Sequence, residues 1–395
     1  MNPVSEPGKS TTEAQPLHVV MNAFADVPSA SIATLATVTA RLLGADECRI
    51  LIADYALRSL RSLEVDGSQG DCIEVEGTMA GRCFASDGVV VQGDGPTTIW
   101  IPLSDGTERI GVLESRFGGV REPSEYMTDV VALLVLAIVS RRRYTDVVAH
   151  ARRSQRLSEA AEVQWDLLPP LAHEVPGASV SGAVEPAYEI GGDSFDYAFN
   201  ADVLEFAVLD AVGHGLESVL MSAAAVHSLR NARRSHLTLE QSYVQVDSRI
   251  ARQFGNSAYV TGQLGSLDIT NGMLTWINAG HVLPLHVRDR SFIGTLSCAA
   301  SKPMGLGGDV RQIAVQQLQP GDRVLFYTDG VTESRSPNGS SFGEALLADF
   351  LVRATIDGVP VAETVRRLTA RVIEHVGAEL RDDATMFLLE YGTQV

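Results

Sequence analysis

Cysteine is scarce: Cys48, Cys72, Cys83 and Cys298 are the four in 395 residues, with no CxxC and no regular spacing. That excludes a disulfide framework and a structural zinc site of the usual spacing. Free thiols in a reducing, cytoplasmic setting are the simplest reading. Positive charge is short as well, since 31 Lys+Arg against 49 Asp+Glu leave a net charge of −18. A binder of nucleic-acid backbone needs the opposite balance. Long apolar runs are missing too. The longest, VVALLVLAIV at 130–139, has ten residues, about half of the roughly 20 that cross a bilayer, so it reads as a core or interface helix. The polar stretch 1–16 has no apolar segment of the kind a secretory signal carries and reads as a disordered tail. Also absent are a cysteine-phosphate loop and GxxxxGK[ST], which argues against a cysteine nucleophile and a nucleotide P-loop.

What is present is an ordinary globular balance, 45% hydrophobic and 20% charged residues, in a chain long enough for two or three domains. Residues 17–140 read as a small α+β domain. A helix is expected over SIATLATVTARLL, with Ser31 as N-cap and Gly44 at its end. Strand-like runs CRILIADY, GVVVQGDG, TTIWIPL and RIGVLESRF follow, and a last helix begins after Pro123. Residues 141–168 contain no Pro or Gly, and Val147, Ala151, Leu157, Ala161, Trp165 and Leu168 recur at spacings of three, four or six. This pattern predicts one continuous amphipathic helix ended by Pro169-Pro170. Packing on its own domain and pairing with a twin in a homodimer are both open for it.

From 171 to 395 apolar strands dominate: VLEFAVLD, AYVTGQLGSLDIT, MLTWINAG, DRVLFYTDG and ATMFLLEY. Thr270-Asn271-Gly272 predicts a type I′ hairpin, hence antiparallel pairing rather than a Rossmann or P-loop sheet. Helices are expected over LESVLMSAAAVHSLRNARR, LEQSYVQVDSRIARQF and VAETVRRLTARVIEHV. The fold class is α+β, with antiparallel sheets flanked by helices.

Several aspartates sit at strand ends or beside glycine: Asp193 and Asp196 in GGDSFD, Asp210 closing VLEFAVLD, Asp329 before Gly330, and the pair Asp382-Asp383 ahead of the last strand. An Asp before Gly is most often only a turn residue. Four such carboxylates at a sheet's rim would repel one another unless hard divalent cations held them. Two ions of charge +2 balance four carboxylates, and two ions can hold and activate a water for in-line attack on phosphorus. His214 lies between Gly213 and Gly215, where its ring could serve as a general acid or simply shape the turn. His281 in NAGH reads as structural.

The stretches GGDSFD, LDAVGHG, NAGHVLPL, PMGLG, LQPGDRVLFYTDGVTES, FGEALL and DDATMFLL occur in that order over 171–395. In this series the segment resembles the SpoIIE/RsbU-like branch of the metal-dependent PPM (type 2C) protein serine/threonine phosphatases. The resemblance implies an α/β/β/α sandwich with two Mn²⁺ or Mg²⁺ ions at its top. It places metal ligands on Asp193, Asp210, Asp329, Asp382 and the backbone carbonyl of Ala211, with Asp210 bridging both ions. Asp383, Asp196 and Gly330 then support the site. Ser194 departs from the family, which often has an aromatic residue there.

The implied substrate is a phosphoserine or phosphothreonine protein, a STAS-type anti-sigma-factor antagonist. The stretch 17–140 resembles a GAF domain in the order of its elements, which implies a sensor for a small ligand or partner protein. VQWDLLPP resembles the family's coupling helix, so 141–170 reads as a linker that switches the phosphatase. Two other readings stand beside this one. A catalytically silent binding module on the same fold is disfavoured by the complete aspartate set. A hydrolase of small phosphate esters is disfavoured by the missing phosphate loop.

Overall fold

The computed structural model describes residues 15–64, 69–186, 188, 191–255, 257–377, 380 and 382–392. Most of the expected tail, 1–14, lies outside the described residues. The chain forms two compact units, one of Met1–Asp105 with Arg109–Ser154, the other of Gly106–Glu108 with Gln155–Val395.

The first unit begins with α1 (Leu17–Ala25) and α2 (Leu35–Leu43). Strands β1 (Glu47–Ala53), β2 (Ser59–Leu63) and β3 (Gln69–Glu74) follow, then α3 (Met79–Ser86). Next come β4 (Val90–Gln92), β5 (Thr97–Asp105), β6 (Glu108–Phe117), α4 (Glu125–Arg141) and α5 (Val147–Arg152). The six strands make one sheet in the order β3-β2-β1-β6-β5-β4. Alternate β1 residues divide between two cores: Ile50 and Ile52 pack with α1, α2 and α4, while Leu51 and Ala53 pack with Phe84 of α3, as a period-2 strand requires. Gly44 ends α2 in the left-handed conformation, but Ser31 is not its N-cap. Ser31 lies in a short 3₁₀ turn with φ −112° and ψ 30°, and the α-helix starts at Leu35.

The continuous helix expected over 141–168 is instead three pieces: α4 stops at Arg141, α5 is six residues long, and α6 spans Glu159–Leu167. Tertiary contacts of Arg141 and a side-chain cap at Ser158 accompany the breaks, with no Pro or Gly needed. Arg141 turns back to donate to the carbonyls of Phe24 (2.6 Å) and Val27 (3.0 Å). Arg153 is extended, and the Ser158 hydroxyl accepts the Ala161 N–H at 3.1 Å, starting a new helix.

The second unit carries β7 (Ala172–Val175), β8 (Ala178–Glu185), β9 (Asp193–Asn200), β10 (Val203–Ala211), α7 (Leu216–Arg234) and α8 (Leu239–Phe254). Then come β11 (Val260–Asp268), β12 (Met273–Ala279), β13 (Leu285–Arg288), β14 (Ser291–Thr295), β15 (Ala314–Gln317) and β16 (Arg323–Tyr327). It closes with α9 (Asp329–Glu333), α10 (Gly343–Ile356), α11 (Val361–Val376) and β17 (Ala384–Tyr391). Two sheets result, β15-β12-β11-β10-β9 and β14-β13-β16-β17-β8-β7, and their pairings are antiparallel as expected. The β11–β12 turn is a hairpin of a different type. Four residues lie between Asp268 and its partner Met273, and of the loop only Gly272 has a positive φ, whereas type I′ needs two. The Asp268 carboxylate holds the loop by accepting from Thr270 and Asn271.

Four layers stack. Leu209, Ala211 and Ile277 of the first sheet pack on Val226 of α7 and Ile250 of α8, and Leu325 and Leu388 of the second pack on Leu351 and Leu368 of α10 and α11. Between the sheets, Phe206 meets Phe326 and Phe387 at 4.7 and 5.4 Å, and Phe195 meets Phe387 at 5.8 Å. Gly182 and Gly265 are required here, because a Cβ on either would overlap the Phe195 or Phe206 ring. This is the α/β/β/α sandwich that the resemblance implied.

Candidate metal and catalytic site

Strand parity decides which aspartates meet. On β9, Asp193 shares the inter-sheet face with Phe195, and on β10 Asp210 shares it with Phe206. The two are direct partners across the antiparallel pair. Both carboxylates therefore emerge where the aromatic layer ends. Asp196 has the opposite parity and faces α7, where its buried carboxylate pairs with Arg230 (2.7 Å) and Arg233 (3.0 Å). It anchors α7 to the sheet and is not part of the aspartate group. Ser194 also faces α7, its hydroxyl 2.7 Å from that of Ser222.

The second sheet supplies the other side. Thr328 follows β16 and donates its hydroxyl to Asp193 Oδ2 at 2.6 Å, while its oxygen accepts the Thr385 N–H at 2.9 Å. Asp329, exposed, opens α9 next to it. Asp383 accepts N–H bonds from Gly191 (2.9 Å) and Asp193 (3.5 Å), which pins the start of β9 to the approach of β17. Asp382 is exposed and accepts the Asp383 N–H at 3.0 Å.

Close backbone approach holds these pieces together. A Cβ on Gly191 would strike the Asp383 carboxylate, one on Gly192 the Ala211 carbonyl oxygen, and one on Gly330 the Asp383 carbonyl. Gln164 of α6, fully buried, donates to the Asp193 carbonyl. Sequence reasoning missed Gln164, Thr328 and Thr261. Thr328 was within reach as the neighbour of Asp329, but the other two depend on packing and strand register.

The electrostatics are those of uncompensated carboxylates. Burial, then Asp210 and Asp383, hold Asp193 well above the usual carboxylate range. Burial, then Asp329 and Asp382, push Asp210 up to about 6. Asp383 rises to about 6, chiefly through burial. Among the described residues no three acidic, His or Cys groups are drawn into a ready-made metal cage. The donor chemistry nevertheless fits a hard divalent cation: the groups acting on Asp193 and Asp210 are carboxylates and threonine hydroxyls, all oxygen, with negative charge in excess.

The histidines differ. His214 is exposed on the β10–α7 turn, which Gly213 (φ 98°) and Gly215 (φ 74°) shape. His281 lies deeper. Its Nδ1 is 2.9 Å from Thr261 Oγ1 and its Nε2 is 3.1 Å from the Tyr327 carbonyl, and loss of solvent pushes its pKa down to about 4. Thr261 is the cross-strand partner of Asp210, with its hydroxyl 3.4 Å from Asp210 Oδ2.

Residues 200–392 match the family model described as Stage II sporulation protein E (SpoIIE). Protein IcfG of Synechocystis sp. is 23% identical over 260 residues, covering 58% of this chain and 40% of that protein. Phosphoserine phosphatase RsbU of Bacillus subtilis is 20% identical over 239 residues, covering 58% of this chain and 68% of that protein. The crystal structure of the RsbU and RsbW domains of Rv1364c from Mycobacterium tuberculosis aligns with a TM-score of 0.50 and 28% identity, over 56% of this chain and 63% of that one. The chain thus spans less than half of the first of these relatives and about two thirds of the other two. No helix among the described residues is long and apolar enough to cross a membrane.

Proposed function

We infer that this chain, whose residues 200–392 match the SpoIIE family model, is a metal-dependent protein phosphatase that hydrolyses phosphoserine or phosphothreonine on another protein. The observation that carries this reading is the uncompensated group Asp193, Asp210 and Asp383, with Asp329 and Asp382 beside it, at the end of the inter-sheet layer. Asp193, Asp210, Asp329, Asp382 and the Ala211 carbonyl would hold two Mn²⁺ or Mg²⁺ ions. Bound there, such ions supply Lewis-acid charge for the phosphoryl oxygens and lower the pKa of a water.

The chain's own part is orientation. Thr328 and Asp383 fix Asp193 from the second sheet, and Gln164 holds its carbonyl from α6. Asp383 and Asp196 are supporting residues, the first on the β9 backbone and the second on α7. In the hydrolysis itself a water oxygen bonds to phosphorus, the P–O bond to the serine breaks, and the alcohol leaves with a proton. His214 is assigned to the turn rather than to that proton transfer.

A STAS-type anti-sigma-factor antagonist is the proposed substrate, supported by the likeness to a relative named phosphoserine phosphatase RsbU. The first unit is proposed as a GAF-like sensor for a small ligand or partner protein. Regulation cannot pass along one unbroken helix, since α4, α5 and α6 are separate. Gln164 offers a local route instead, because any shift of α6 is felt at Asp193. Gln164→Leu, which keeps the bulk and removes the donor, is expected to cut phosphate release from a phosphoserine protein by about tenfold. Unchanged turnover at saturating Mn²⁺ would remove α6 from the mechanism. The test of the function as a whole is the metal-removal assay that closes the Discussion.

A further inference from the structure

His281 joins the two sheets at the aspartate group. It follows β12 of the first sheet, and its ring reaches the carbonyl of Tyr327, the last residue of β16 in the second. The residue itself is held from both sides: its N–H donates to Asn278 Oδ1 at 2.7 Å, and its carbonyl accepts from Asn278 Nδ2 at 2.9 Å. A carbonyl can only accept, so the proton on Nε2 goes to Tyr327. In the neutral ring Nδ1 is then an acceptor, and the hydroxyl beside it is that of Thr261.

Thr261 has one hydroxyl proton and two acceptors within range, His281 Nδ1 at 2.9 Å and Asp210 Oδ2 at 3.4 Å. The shorter contact wins. We propose that His281 is a positioning residue that takes the Thr261 proton away from Asp210, leaving the Asp210 oxygen lone pairs free for a divalent cation while tying β11 to the strand that leads into Asp329. This inference rests on the metal-site reading above. It assigns a role to a histidine whose ring bonds are to Thr261 and the Tyr327 carbonyl and not to an aspartate.

Side-chain length separates this role from simple packing. Asparagine puts an acceptor where Nδ1 stands, whereas glutamine reaches only to the Nε2 position. The experiment measures Mn²⁺ binding to the full chain by calorimetry, with melting temperature recorded for each variant. In the parent protein, His281→Gln is expected to weaken Mn²⁺ binding by about tenfold and His281→Asn by less than about threefold, in the range seen for groups that orient metal ligands. In a Thr261→Val background no hydroxyl competes for Asp210, so His281→Gln should have no further effect. Equal weakening by His281→Gln in both backgrounds would show a packing role and overturn the proposal, as would no weakening in either. If instead the parent protein bound Mn²⁺ no better than Asp210→Asn, the metal-site reading itself would fail, which is a different result.

Discussion

Asp210→Asn is expected to lower phosphate release from a phosphoserine protein by at least about 10³-fold, the scale of losing several kcal/mol of charge stabilisation at a metal-assisted reaction. Asp210 is the point where the two halves of the group meet. It faces Asp193 across the β9–β10 pair and feels Asp329 and Asp382 from the second sheet. The substitution keeps the shape and the Thr261 contact but removes the charge. Because burial and neighbouring carboxylates both disfavour that charge, the variant without metal should melt at the same temperature as the parent or higher. Calorimetry with Mn²⁺ should show at least one binding step lost. A variant with near-normal turnover would exclude Asp210 from the chemistry.

The second large effect is on pH. Asp210 and Asp383 both have carboxyls raised to about 6, and Asp210, as a ligand, must lose its proton before it can serve a cation at lower pH. Between pH 7 and pH 5 a group with that pKa loses about tenfold of its ionised fraction. Through Asp210 alone this makes Mn²⁺ binding weaker by on the order of tenfold at pH 5. Stability without metal has the opposite sign. A carboxyl whose folded pKa lies above its unfolded value binds more protons when folded, so its contribution is fully present below the unfolded pKa of about 4 and is lost as pH rises through about 6. Chelated protein should therefore melt lower at pH 7 than at pH 5, by on the order of 5 °C if no other group titrates strongly in that window. Added Mn²⁺ should raise the melting temperature at pH 7 far more than at pH 5. Parallel pH curves with and without Mn²⁺ would contradict the carboxylate cluster as the binding site.

Much of the second unit was legible because its apolar runs are long and their ends are marked. The three helical stretches read from sequence coincide with α7, α8 and α11, each begun by a recognisable residue: Gly215, the capping-box pair Thr238 and Gln241, and Pro360. The strand VLEFAVLD became β10 with Asp210 near its end. In the first unit, β2 (SLRSL), β3 (QGDCIE) and α3 escaped notice because they are short and mix polar with apolar residues. The helix over 141–168 failed for another reason. Spacing alone cannot see Arg141 folding back on the end of α1 or Ser158 capping α6, which are tertiary and capping choices made over a stretch without Pro or Gly.

The candidate site divides in the same way. Aspartates beside glycine at strand ends could be named from sequence, and the family resemblance ordered them. Strand parity then separated Asp196 from the rest, since two residues three apart on one strand face opposite sides of the sheet. Register put Thr261 opposite Asp210, and packing put Gln164 on the Asp193 carbonyl. Neither follows from a linear pattern, because each joins elements dozens of residues apart.

The central claim is metal-dependent hydrolysis of a phosphorylated protein, and removing the metal tests it most directly. The full chain would be stripped with chelator, dialysed, and assayed for phosphate release from a phosphoserine protein at pH 7.5, before and after Mn²⁺ is restored. The account predicts no release from stripped protein and release that saturates with Mn²⁺. Release that persists in chelator, or none at all when calorimetry shows Mn²⁺ bound, would contradict it, and the second outcome would mark the domain as a silent binding module.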